Sequence, residues 1–88
     1  MMVPVGQKNF VKRRDIVAII MPDSAPSKKL RRSAEIERML INATGGRKAR
    51  SIIVTKSNHV ILSALQTTTL KERINEKANL EDTKWTQV

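Results

Sequence analysis

The stretch Gly45-Gly46-Arg47-Lys48-Ala49-Arg50 is where residue types and spacing come closest to chemistry. Two glycines let backbone amides approach an anion, and the bases that follow supply charge. The pattern is not a Walker A loop, which needs a glycine, four residues and then Gly-Lys-Ser/Thr; the chain has no Gly-Lys pair. What it offers is electrostatic contact with phosphate through Arg47, Lys48 and Arg50. The same residues also describe a glycine turn entering a strand with ordinary solvated bases. Two further basic clusters stand beside it: Arg13 and Arg14 with Lys12, and Lys28, Lys29, Arg31 and Arg32. Other reactive types are scarce. His59 is the single histidine, and with no cysteine the chain has no thiol nucleophile, Cys-ligated metal or disulfide framework. His59 reads as a turn-capping or packing residue, with no neighbouring serine or carboxylate as partner in a nucleophile–base pair. Asp15, Asp23, Glu35 and Glu37 lie among bases and read as charge offset. The expectation is therefore no catalytic residue, no cofactor, no metal and no enzyme activity.

The charge itself is lopsided. The 88 residues carry 17 lysines and arginines against 8 acids, a net charge of +9. Residues 1–56 hold 13 of the bases and four acids, whereas residues 57–88 are balanced. Such a field attracts polyanions: nucleic acid, an anionic membrane surface or an acidic protein. Aromatic residues are only Phe10 and Trp85, so there is almost nothing on which to stack unpaired bases. The charge thus favours the phosphate backbone of double-stranded DNA. RNA draws on the same charge, and composition alone does not separate the two. No helix-turn-helix, zinc-finger spacing or heptad repeat is present. The apolar runs fall far short of the ~18 residues that span a bilayer. The amphipathic helix lacks an aromatic on its apolar side, which argues against a membrane surface. Residues 1–8 lack the apolar core of a signal peptide, so a cytoplasmic, nucleoid-associated location is expected.

These residues need elements to hold them. Residues 1–8 read as an irregular arm, and residues 10–21 as one strand built on the β-branched run from Ile16 to Ile20. Asp23 and Ser24 suit an N-cap, so a helix is expected over 26–39. On it Lys28, Arg31, Arg32, Glu35 and Arg38 share one side. A short strand over 40–44 precedes the Gly45-Gly46 break. Strands over 51–55 and 59–65 form a hairpin through Lys56-Ser57-Asn58, where Asn tolerates a left-handed backbone. Thr69 and Glu72 have capping-box spacing for a second helix carrying Leu70, Ile74 and Ala78. The fold class is α+β: a small sheet of three to four strands including a C-terminal hairpin, a central basic helix and a short C-terminal helix. The chain is one domain, with an ordered core over 8–79 and a flexible tail over 80–88. Three strands are apolar on both faces, while two helices can cover one face. A homo-oligomer is therefore expected to bury the rest; the alternative is cover by the N-terminal arm and the tail.

Four segments then carry a resemblance: Met21-Pro22-Asp23-Ser24-Ala25-Pro26, Met39-Leu40-Ile41-Asn42-Ala43-Thr44, Gly46-Arg47-Lys48-Ala49-Arg50, and His59-Val60-Ile61-Leu62-Ser63-Ala64-Leu65-Gln66. In this order they resemble the RemA family of small bacterial regulators, over about residues 5–74. The resemblance implies a DNA-binding transcriptional regulator of extracellular-matrix and biofilm genes, acting as a ring-like oligomer with DNA on its basic rim. It implies that Arg47 and Lys48, with Arg50, contact DNA. Lysine at the second position keeps charge but loses the bidentate fork of arginine. A base that the family carries near the start of a strand matches Arg13 or Arg14 with a shift. The alternatives to a DNA-binding regulator are an RNA- or ribosome-associated basic protein and an oligomeric scaffold for acidic protein partners.

Overall fold

The computed structural model describes residues 2–75. Its centre is a four-stranded mixed sheet. Strand β3 (Ile16–Ile20) and strand β4 (Leu40–Ala43) form its edges, and β5 (Ser51–Thr55) and β6 (Val60–Ser63) lie between them in the order β3-β5-β6-β4. The four-residue linkage Lys56-Ser57-Asn58-His59 makes β5 and β6 antiparallel, whereas β4 runs parallel to β6. Asn58 takes the left-handed conformation that the turn demands, at φ +67°.

Residues 2–8 do not form the expected irregular arm. Strand β1 (Met2–Gly6) pairs with β2 (Asn9–Lys12) as a separate antiparallel hairpin. Its two-residue turn places Gln7 and Lys8 at φ +50° and +62°, a geometry usually served by Asn-Gly. The single strand expected over 10–21 is interrupted by a 3₁₀ turn at Arg13–Asp15. That turn releases β2 from the plane of the main sheet and lets the hairpin fold over it.

The central strands are covered on both faces by this chain itself. Along β5, Ile53 enters one core and Ile52 the other; along β6, Ile61 and Leu62 divide in the same way. Helix α1 (Ala25–Ile36) covers one face through Leu30 and Ala34. The other face meets Val5 and Val11 of the hairpin and Leu70 of a second helix, α2, which occupies residues 67–75. The two helices therefore lie on opposite faces, and the N-terminal hairpin supplies the cover that two helices on one face would lack. Ser63 Oγ ties the hairpin down by donating to the Val5 carbonyl at 2.6 Å.

Edge strand β3 joins this scheme through a bulge. Ile16 opposes Thr55 and Ala18 opposes Val54, which leaves Val17 as an extra residue. The insertion lets Ile16 and Ile19 pack on the same core. In a regular strand, residues three apart point to opposite faces. Val17 is left 62% exposed at the edge.

Both helices differ from expectation at their ends. Of the two N-cap candidates Ser24 caps α1, its Oγ accepting the Ser27 amide at 3.2 Å, and the helix starts at Ala25 rather than Pro26. The helix stops at Ile36 rather than Met39 because Arg38 turns left-handed, at φ +60°. The Met39 amide then donates to the Ala34 carbonyl at 2.7 Å and the Arg38 amide to Glu35 at 3.2 Å. This is the Schellman pattern, with its usual contact between Met39 and Ala34 in one core. Arg38 consequently leaves the helical stripe. In α2 the Leu70 amide donates to the Gln66 carbonyl at 3.1 Å, so Thr69 sits inside the first turn and not at the cap. The expected Ala78 contact and the tail over 80–88 lie outside the described residues.

Candidate nucleic-acid interface

The glycine–arginine stretch is an exposed loop held at both ends. At its start, the Thr44 amide and hydroxyl both donate to Asn42 Oδ1, at 3.0 and 2.6 Å. The Arg47 amide donates to the Thr44 carbonyl at 3.2 Å, closing a turn over Gly45 and Gly46. At its end, the Arg50 amide donates to the Ser63 carbonyl at 2.8 Å, which feeds the chain into β5. Between these anchors Ala49 packs against the α1-side core, while Arg47, Lys48 and Arg50 are exposed. None of the three has a side-chain hydrogen bond or ion pair among the described residues. Positive charge is thus presented on a short backbone whose position the sheet sets.

Gly45 is required here. Its φ is +64°, and a methyl group added to it would lie 2.4 Å from Gln7 Cδ. The turn of the N-terminal hairpin is therefore seated against the loop. That contact brings the exposed Lys8 into the neighbourhood of the loop, a placement the chain order gives no hint of. The β1–β2 hairpin and the long-range bond from Ser63 to Val5 together create it.

The other bases separate into two groups. Lys28, Arg31, Arg32 and Glu35 line one shallow groove on α1, consistent with their helical spacing; Lys29 is exposed on the same helix outside that groove. Arg13 and Arg14 sit in the 3₁₀ turn before β3, where the Lys56 amide donates to the Asp15 carbonyl at 2.8 Å. That is the hairpin-turn end of the sheet. The Arg47–Arg50 loop is at the other end, a strand length of about 17 Å away for five residues at ~3.3 Å each. Arg13 is half-buried and Arg14 exposed. The structure therefore does not gather the three basic clusters into one patch.

Lys48 and Arg50 instead line a cleft of about 370 Å³ formed by residues 21–23, 48–50 and 66–68. Three segments distant in sequence meet at one end of the sheet, where β3 and β6 finish and β5 begins. Asp23, Gln66 and Thr67 belong to this wall and were not among the residues that spacing singled out.

His59 proves to have a serine partner: its Nδ1 lies 2.6 Å from Ser57 Oγ, which in turn lies 2.9 Å from Thr55 Oγ1. The His59 amide also donates to Thr55 Oγ1, at 3.1 Å. The contact joins residues of one hairpin turn and organises it. Among the described residues no three His, Cys, Asp or Glu side chains gather as metal ligands, and no helix is long and apolar enough to cross a membrane.

A family model described as extracellular matrix regulatory protein A-like, or RemA-like, matches residues 2–74. This chain belongs to the RemA-like family. The match runs from the first residue of β1 into α2. Similar proteins named "Putative regulatory protein" occur in several bacteria. One from Thermodesulfovibrio yellowstonii is 48% identical over 82 residues, covering 93% of this chain and 96% of its own. One from Oleidesulfovibrio alaskensis is 51% identical over 75 residues, covering 85% and 89%. A Clostridium botulinum relative is 44% identical over 81 residues, covering 92% and 89%. Membership and these names indicate a regulatory protein.

Proposed function

We propose that this RemA-like protein is an oligomeric, double-stranded DNA-binding regulator of transcription, acting on extracellular-matrix genes. The observation that carries this reading is the anchored loop with Arg47, Lys48 and Arg50 exposed and without a side-chain partner among the described residues, on a chain of net charge +9. Three phosphate contacts per chain give weak binding on their own. Several copies on one duplex add avidity without new contacts. The ground for association is not an uncovered sheet face, since this chain covers both. It is the pair of apolar edges: Val17 is 62% exposed on β3, and beyond the opposite edge Ile41 of β4 and Phe10 of β2 are 44% and 56% exposed. Two different surfaces on opposite sides suit head-to-tail assembly, which closes into a ring or continues as a filament.

Fluorescence anisotropy with a duplex, at stepped salt concentrations, tests the reading. Three neutralised phosphates per chain predict a slope of log affinity against log salt of about −2.7 per bound chain. Arg47→Ala, Lys48→Ala and Arg50→Ala each lower that slope by about one unit while the assembly mass stays constant. Normal binding by all three variants refutes the interface, and preference for structured RNA at matched salt refutes the duplex as target.

A further inference from the structure

We infer that the cleft between residues 21–23, 48–50 and 66–68 is a binding site for a ribose phosphate, of 5′-mononucleotide size, and that its occupant competes with DNA. The competition rests on the DNA reading above; the site itself does not.

The cleft is concave where a DNA contact surface need not be. Its volume of about 370 Å³ lies at the small end of the roughly 300–1,000 Å³ range of small-molecule sites. That suits one mononucleotide and not a dinucleotide. Two cations, Lys48 and Arg50, and one carboxylate, Asp23, line this cleft. None has a hydrogen-bond or ion-pair partner among the described residues. Lys48 and Arg50 both line the cleft, close enough in the chain for one anion to meet both, while Arg47 falls outside it.

Asp23 decides the ligand class. A carboxylate facing a DNA strand meets phosphates that repel it and deoxyriboses that offer no hydroxyl on the 2′ carbon. A ribose phosphate answers both needs: its phosphate pairs with Lys48 and Arg50, and its vicinal hydroxyls donate to Asp23, as acids do for ribose in dinucleotide sites. Hydroxyls of Thr67 and Thr68 and the Gln66 amide complete a polar wall. Met21, 58% exposed, contributes an apolar surface beside it, its Sδ accepting from Thr67 Oγ1 at 3.5 Å. Binding there consumes the two bases that a duplex also uses.

Calorimetric titration of the full chain, without DNA, tests the site. The probes are AMP, GMP, dAMP, ribose 5-phosphate and inorganic phosphate. AMP and ribose 5-phosphate are expected to saturate one site per chain, about tenfold tighter than dAMP or phosphate. GMP matching AMP places recognition on the sugar phosphate. Asp23→Asn is expected to abolish the preference for AMP over dAMP without weakening phosphate. Lys48→Gln removes binding of every probe, and Arg47→Ala changes none. AMP binding no tighter than phosphate, or an AMP preference that survives Asp23→Asn, overturns the site. Saturating AMP that leaves duplex affinity unchanged, in a protein that binds duplex, overturns the competition. Absence of duplex binding with AMP bound as stated refutes the DNA reading alone.

Discussion

Arg38 is the residue at which a small substitution tests the local physics most directly. It occupies the position after the α1 cap at φ +60°, where the backbone must turn left-handed to close the Schellman bonds from Met39 to Ala34 and from Arg38 to Glu35. An L-residue with a side chain loses about 1–2 kcal/mol in that region relative to its relaxed conformation. Glycine escapes the penalty but gains about 0.5–1 kcal/mol of unfolded-state freedom. Arg38→Gly should therefore stabilise the chain by about 0.5–1 kcal/mol, or about 2–8 °C at this size. The substitution also removes a cation from the C-terminal end of a helix, where it contributes about 0.3 kcal/mol or more at low salt. Arg38→Ala removes the same charge and keeps the Cβ atom, so the difference between the two variants isolates the backbone effect. Urea unfolding followed by far-UV circular dichroism at 0.5 M salt, where surface charges are screened, measures both. Gly no more stable than Ala at this position refutes the left-handed cap. The chain continuing as helix to Met39 would produce that result, because glycine inside a helix destabilises by about 1 kcal/mol.

Three other outcomes follow from the packing. Gly45→Ala should cost about 1 kcal/mol or more, because φ is +64° and the new methyl lies 2.4 Å from Gln7 Cδ; adding Gln7→Ala should recover the steric part, read as coupling in a double-mutant cycle. Ser63→Ala should cost about 1–2 kcal/mol by leaving the Val5 carbonyl unpaired, and limited proteolysis should then cut the β1–β2 hairpin before the sheet. Val17→Asp should change the stability of one chain by no more than about 0.5 kcal/mol, since the side chain is exposed. If β3 joins neighbouring copies, light scattering should show that variant dissociating; an unchanged assembly mass removes β3 from the interface.

Much of the fold was legible because its signals are local. The β5–β6 hairpin shows in two β-branched runs around Asn58, and α1 in serine capping and helical spacing of Leu30 and Ala34. The N-terminal hairpin was not legible. Its turn residues, Gln7 and Lys8, lack the glycine or asparagine that marks such a turn, and its partner surface lies more than fifty residues ahead. The 3₁₀ turn at Arg13–Asp15 was hidden within a run that reads as continuous strand. The end of α1 was missed because arginine, not glycine, takes the left-handed position. For the interface, the run of bases at Arg47, Lys48 and Arg50 was visible from composition. Which residues stand opposite them was not: Asp23 and Gln66 reach the cleft only through the antiparallel return of β5 beside β3 and β6.

By itself the sequence determines the chemistry this protein can offer. A surplus of nine positive charges in its first two-thirds sets a basic field of the kind that favours polyanions, and the lack of cysteine excludes thiol and Cys-ligated metal chemistry. Charge and residue type are additive properties that survive any fold. Tertiary structure decided where those charges stand. It placed Arg13 and Arg14 at one end of the sheet and Lys48 and Arg50 at the other, and it closed both sheet faces with α1, α2 and the hairpin. Those outcomes depend on strand order, one bulge at Val17 and one hydrogen bond from Ser63 to Val5. Each joins residues far apart in the chain, where no local spacing carries the information.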